Sequence, residues 1–176
     1  MEMERQKTVH LGPGEGRAVW MSGAEEALVT HKVSAEQTGG AYSLFEVEVR
    51  PEGSEPPHIQ HRDDECLYVL DGEFEFLDDD GSTTKVVGPG SVVYVPKGNL
   101  HRYRNTSEKT GRLLVVHTPG GSHELYLEEA GELAANRTTS SATEGPSDAE
   151  RIVAIGVEHG VEIVPLPPSL ADAGAQ

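Results

Sequence analysis

Two short stretches hold residue types that could do chemistry together. Residues 53–72 read GSEPPHIQHRDDECLYVLDG and carry His58, Gln60, His61 and Glu65 ahead of an apolar run. Residues 90–105 read GSVVYVPKGNLHRYRN and carry Pro96, Gly98, His101 and Asn105. An extended strand sends alternate side chains to one face. His58 and Gln60 therefore share a face, and His61 points the other way unless a bulge intervenes. Imidazole nitrogens and a carboxylate oxygen converging at a barrel mouth bind a divalent transition metal. Two histidines with one carboxylate leave coordination positions open for substrate, water or oxygen. Glu65 is the hardest of these to read as merely structural, because a carboxylate beside an apolar run is buried at a cost unless it is paired.

The elements that must position these residues read as strands. Residues 18–21, 28–33, 41–50, 66–70, 73–77, 84–87, 91–95, 101–105 and 112–117 are short runs rich in Val, Leu, Tyr and Phe. Gly and Pro, 20 and 11 in number, fall between them. Asp71-Gly72 carries a two-residue hairpin signal, and Gly88-Pro89-Gly90 is a break. This pattern predicts an all-β sandwich or barrel. After residue 120 the pattern changes. Residues 122–135 read as a helix with Ser122 as N-cap, 136–147 as a loop, and 148–160 as a second helix stopped by Gly160. Residues 161–168 read as extended and 169–176 as a frayed tail. The organisation expected is a barrel over 1–121 and a helical extension over 122–176 packed on it.

The two stretches resemble the two motifs of the cupins. The second motif matches at Gly90, Pro96, Gly98, His101 and Asn105, and the first at Gly53, His58, Glu65 and Gly72. Gln60 stands where the first motif has its second histidine, and Gly53 lies one residue closer to the first histidine than usual. Flanking segments such as 38–47, 56–58, 62–65 and 118–121 resemble small bacterial cupins described as quercetin dioxygenase-like. The resemblance implies a double-stranded β-helix or jelly-roll barrel with short C-terminal helices. It also implies one divalent transition metal per chain (Fe, Ni, Mn, Cu or Zn) on His58, Glu65 and His101. Three readings of position 60 stay open. Gln60 is a fourth ligand or holds a water, His61 takes the place as alternative ligand, or the site is degenerate.

Three functions follow as expectations. The first is a dioxygenase acting on an aromatic or enolic hydrophobic small molecule, with Glu65 as general base. The second is a non-oxidative cyclase, isomerase or lyase using the metal as Lewis acid, as in cupins of aromatic polyketide pathways, with Glu65 or His117 moving protons. The third is a ligand-binding cupin without turnover. Tyr103, two residues after His101, reads as an inward phenol near the metal. His117 reads as a possible inward group on its strand. His10, His31, His123 and His159 draw no role. Residues 62–64 read as a solvated turn, and Tyr68, Phe74, Phe76 and Tyr94 as barrel core.

Composition narrows the partners. The chain has 176 residues, with 14 basic against 30 acidic side chains and a formal net charge of −16. That excess argues against nucleic acid and against anionic membranes, which need basic patches. One cysteine, Cys66, allows no internal disulfide. The apolar runs are too short for a membrane-spanning helix and the first ten residues lack a signal-peptide core, so a cytoplasmic location is expected. The resemblance implies a homodimer.

Overall fold

Ser43–Val49 alternates strictly between buried and half-buried residues, with Ser43, Phe45, Val47 and Val49 inward. Gly111–Thr118 does the same with Gly111, Leu113, Val115 and His117. This two-residue period is what one face on a core and one toward solvent requires, and it recurs through the chain. The structure is a computed structural model and describes residues 7–21, 26–79, 81–138 and 146–165.

In chain order the elements begin with β1 (Ala18–Met21), β2 (Ala27–Val33), a single-turn helix α1 (Ala35–Thr38) and β3 (Ser43–Val49). The motif region supplies β4 (His58–Gln60), β5 (Asp64–Asp71), β6 (Phe74–Leu77), β7 (Thr84–Val87), β8 (Val92–Val95), β9 (Leu100–His101), β10 (Tyr103–Asn105) and β11 (Gly111–Thr118). Then follow α2 (Ser122–Ala130), β12 (Glu132–Leu133), α3 (Pro146–His159) and β13 (Val161–Ile163). One sheet has the order β12-β1-β2-β3-β11-β5-β8, and two smaller ones have β10-β6-β7 and β13-β4-β9. All the pairings are antiparallel. The core between the sheets is built from Phe45, Val47, Leu67, Val69, Phe74, Phe76, Leu113 and Val115.

The all-β reading holds, and the differences have local causes. The four-residue α1 is too short to show a helical period. It is fixed by a capping box in which Ser34 and Gln37 satisfy each other's backbone N–H groups. Helix α2 stops at Ala130 rather than 135 because Glu132 and Leu133 pair with β1. Its N-cap is Gly121, not Ser122, and no side chain caps it. Helix α3 starts two residues early, with Pro146 at its first position, where the missing N–H is no loss. Gly160 then ends it at φ +79°, with Arg62 too close for any β-carbon. Tyr68 and Tyr94, read as core, lie on the outer face and are 42% and 60% exposed. The expected tail at 169–176 lies outside the described residues. The extension also supplies strands to two sheets, β12 beside β1 and β13 beside β4. Among the described residues no helix is long and apolar enough to cross a membrane.

At one end of β11 the barrel is tied by Asn105, which is fully buried. Its amide nitrogen donates to the carbonyls of Val49 (2.9 Å), Arg50 (3.2 Å) and Lys109 (2.8 Å). Its oxygen accepts from the Ser107 backbone N–H (2.9 Å) and hydroxyl (2.7 Å). Asn105→Ala strands these groups without water. Unsatisfied buried groups cost about 1–3 kcal/mol each, so the variant is expected to lose roughly 3 kcal/mol or more in urea unfolding. A loss below about 1 kcal/mol would show the knot to be dispensable.

Candidate metal centre

The candidate residues arrive as two cross-strand pairs. His58 on β4 lies opposite His101 on β9, and their ring centroids are 4.1 Å apart. Glu65 on β5 lies opposite His117 on β11. All four are at most 4% exposed, and Gln60 is 2% exposed. Backbone parity does the placing: β4 turns His58 and Gln60 inward and Ile59 outward. The Pro96–Gly98 turn brings β9 back, with Gly98 at φ +90° and its N–H donating to the Gln60 carbonyl at 2.7 Å.

Each imidazole is oriented through Nδ1. His58 Nδ1 lies 3.0 Å from the Pro56 carbonyl and His101 Nδ1 3.1 Å from the Asn99 carbonyl. A carbonyl only accepts, so each Nδ1 carries the proton and each Nε2 keeps its lone pair. His117 Nδ1 lies 2.7 Å from Asp63 Oδ2 and 3.1 Å from Gln60 Oε1, which fixes the same tautomer. The Nε2 atoms turn to Glu65. His101 Nε2 is 2.9 Å from Oε2, and His117 Nε2 is 3.5 Å from Oε1. Among the described residues the Glu65 carboxylate is what faces this buried His101 nitrogen, and no other hydrogen-bond partner reaches it. Gln60 points its amide nitrogen at Glu65 Oε2 (3.1 Å) and His58 Nε2 (3.4 Å).

These groups fit a metal ion. Buried lone pairs face an ionised carboxylate, and histidine ligands typically give their second N–H to a carbonyl or carboxylate. Burial disfavours charge on Glu65, yet the imidazoles of His117 and His101 outweigh it and hold the carboxyl well below its usual range. Burial, and then the His101 charge, push His58 down to about 3. Burial lowers His101 too, but the adjoining Glu65 carboxylate reverses this and leaves it above its ordinary 6.5.

Other expectations are corrected by position. His61 is not an alternative ligand: its side chain is half exposed and meets Glu162 at 2.7 Å, pointing away as strand parity demands. Tyr103 is buried, but its ring packs on Phe74 (5.9 Å) and Phe76 (6.2 Å) in the apolar cluster. Asp63, read as part of a solvated turn, is 2% exposed and holds His117. His123, given no role, stacks on His117 with ring centroids 4.0 Å apart and planes 7° from parallel. Among the described residues its buried Nδ1 has no hydrogen-bond partner. Burial, then the His117 charge, hold His123 well below its ordinary value. Glu55 places a carboxylate oxygen within 4.8 Å of both His58 and His101. The inward parity of β11 pointed to His117. The weakly amphipathic Ser122–Ala130 helix gave no such signal for His123.

Beside His58 lies a small cavity of about 20 Å³, room for about one water molecule. Met21, Tyr126, Leu127, Val161 and Ile163 make its apolar walls, and Glu55 and His123 join His58 as its polar groups.

Comparison with known proteins agrees with this geometry. A family profile described as a cupin domain matches residues 45–117, from β3 through His117. An uncharacterized protein of Streptomyces coelicolor is 37% identical over 76 residues, which is 43% of this chain and 67% of that protein. The chain belongs to the cupin superfamily. A germin-like protein, subfamily 2 member 2 of Arabidopsis thaliana, is 33% identical over 75 residues, 41% of this cupin. The match spans only 34% of the germin-like protein's length. Among solved structures, the polyketide cyclase RemF of Streptomyces resistomycificus is 28% identical, with a TM-score of 0.49. The superposition covers 67% of this cupin and 79% of RemF.

The buried rings set the pH response of the metal-free protein. His58 and His123 titrate near 6.5 when unfolded and lower when folded. Below pH 6.5 the unfolded chain binds the extra protons, so stability falls with pH, by up to about 1.4 kcal/mol per unit for each ring. His101 acts oppositely: its contribution is complete below 6.5 and is lost as pH rises through its raised value. His31, lowered by burial as well, adds to the two rings, and His101 is constant below 6.5, so stability is lost between pH 6.5 and 5. Urea unfolding of chelator-treated protein should show this slope, and His123→Phe should flatten it. An unchanged slope in that variant would contradict the assignment.

Proposed function

We propose that this cupin is a metal-dependent enzyme, a quercetinase-like dioxygenase acting on an aromatic or enolic hydrophobic small molecule. The observation that carries the reading is the convergence of buried Nε2 lone pairs and the ionised Glu65 carboxylate beside an apolar wall. His58, Glu65 and His101 would hold one divalent ion (Fe, Ni, Mn, Cu or Zn). When bound, that ion supplies charge stabilisation for a substrate oxygen and, if redox-active, oxygen chemistry.

The chain's own residues divide the remaining work. Met21, Tyr126, Leu127, Val161 and Ile163 form the apolar wall beside His58, against which a hydrophobic substrate would lie. Glu65 is held ionised among imidazoles and is a weak base for that reason. Glu55, facing the cavity beside His58 and His101, is better placed to take an acidic hydroxyl proton. His123 offers a neutral ring nitrogen to a substrate oxygen from the opposite wall.

That pair of proton carriers also favours a second reading, a non-oxidative cyclase, isomerase or lyase. Enolising and reprotonating a polarised carbonyl needs one group to take a proton and another to return it.

Oxygen consumption separates the readings. The protein would be loaded with each of the five metals and supplied with polyphenols and poly-β-diketones, in air and under nitrogen. Oxygen uptake with iron, nickel, manganese or copper, and none with zinc, is expected for the dioxygenase. Equal turnover under nitrogen, zinc included, would establish the non-oxidative reading. Binding with no turnover under any condition would leave a ligand-binding cupin. Glu55→Gln is expected to lower kcat about 100-fold at unchanged metal content. An undiminished kcat would remove Glu55 from the chemistry.

We further propose a homodimer. The outer face of β5 and β8 presents Tyr68, Leu70, Val92 and Tyr94 together, with Tyr68 opposite Val92, and a second copy would cover this apolar patch. Light scattering should give twice the chain mass for the wild type and the single mass for Tyr94→Glu. A monomeric wild type would dispose of the idea.

A further inference from the structure

We propose that His117 supplies the imidazole the first motif lacks at Gln60, so that His58, Glu65, His101 and His117 form one four-residue ligand set. This rests on the metal-centre reading above and assigns a ligand from outside both motifs.

Distance supports it first. Two ligand atoms each about 2.1 Å from one ion stand roughly 3.0–3.4 Å apart at angles near 90–109°. Glu65 lies 2.9 Å from His101 Nε2 and 3.5 Å from His117 Nε2, through its two different oxygens. The two spacings lie just below and just above that range, so small shifts of the two rings would let both share an ion with Glu65.

Tautomer and support come second. Asp63 Oδ2 sits 2.7 Å from His117 Nδ1 and both side chains are 2% exposed. A second carboxylate buried this deeply is costly unless it is paired, and here it locks the ring so that the Nε2 lone pair faces Glu65. This is the carboxylate–histidine arrangement that orients metal ligands.

Third, the Gln60 amide is committed. Its nitrogen donates to Glu65 Oε2 and its oxygen faces the His117 Nδ1 proton at 3.1 Å. Turning the amide over would set oxygen against carboxylate and N–H against N–H. The amide thus braces Glu65 and His117 against each other in the place where the motif usually has a ring. His117 thereby turns its Nε2 to Glu65 Oε1, 3.5 Å away, on the side of the carboxylate that His101 leaves open.

The test counts imidazoles. Metal-free protein would be loaded with Cu(II) alone, and nitrogen coupling read by electron-spin-echo spectroscopy, with 15N-histidine as control. Three coordinated imidazoles are expected in the wild type and two in His117→Gln, with Cu(II) affinity reduced at least ~10-fold. Two imidazoles in the wild type would overturn the proposal while leaving the metal centre standing, and this count needs no variant to fold. An unchanged count and affinity in a folded His117→Gln would overturn it equally. A wild type that takes up neither Cu(II) nor Ni(II) would remove the metal-centre reading and this proposal with it.

Discussion

An ionised carboxylate inside a barrel is the constraint to which the rest of this molecule answers. Removing a charge from water costs several kcal/mol unless partners replace the solvent. Glu65 receives the Gln60 amide and the flanking His101 and His117 rings. Each ring then needs a partner for its own N–H, and these are the Pro56 carbonyl, the Asn99 carbonyl and Asp63. The network runs from the centre outward to backbone groups, and what it leaves unmet lies at its middle, where lone pairs face negative charge.

The two motifs matter because each is divided between sheets. His58 and His101 pair within the β13-β4-β9 sheet, whereas Glu65 and His117 pair within the seven-stranded one. Neither sheet holds the set alone, so the packing between them is what fixes the separations. Strand β11 connects both ends of this arrangement. It starts at Gly111, where a β-carbon would come within 2.6 Å of Phe74, and ends at His117. The apolar residues between, Leu113 and Val115, are buried against Leu67 and Val69 on β5. Packing there determines how far His117 reaches toward Glu65.

The barrel and three of the site residues were legible in the sequence because both are written in local periods. Apolar runs between turn signals marked the strands, and strand alternation put His58 and Gln60 on one face and His61 on the other. What escaped depends on distant partners. Asp63 sits in the Arg62-Asp63-Asp64 stretch that looks solvated, and its partner His117 lies 54 residues away. His123 lies on a helix of weak periodicity, and the His58 and His117 rings around it come from two different strands. Tyr68 and Tyr94 carry the residue types of a core on the outward parity of their strands. Composition alone cannot reveal that parity.

The pairing of β13 with β4 has a consequence in time. The strand that carries His58 and Gln60 is bordered by β9 on one side and by Val161–Ile163 on the other. As the chain leaves the ribosome, the motif strands emerge first and that second border comes much later. Until it does, the ligand strand offers a bare hydrogen-bonding edge, the kind of surface that recruits neighbouring chains. Selection for clean biogenesis therefore acts on this late strand as well as on the residues it shields.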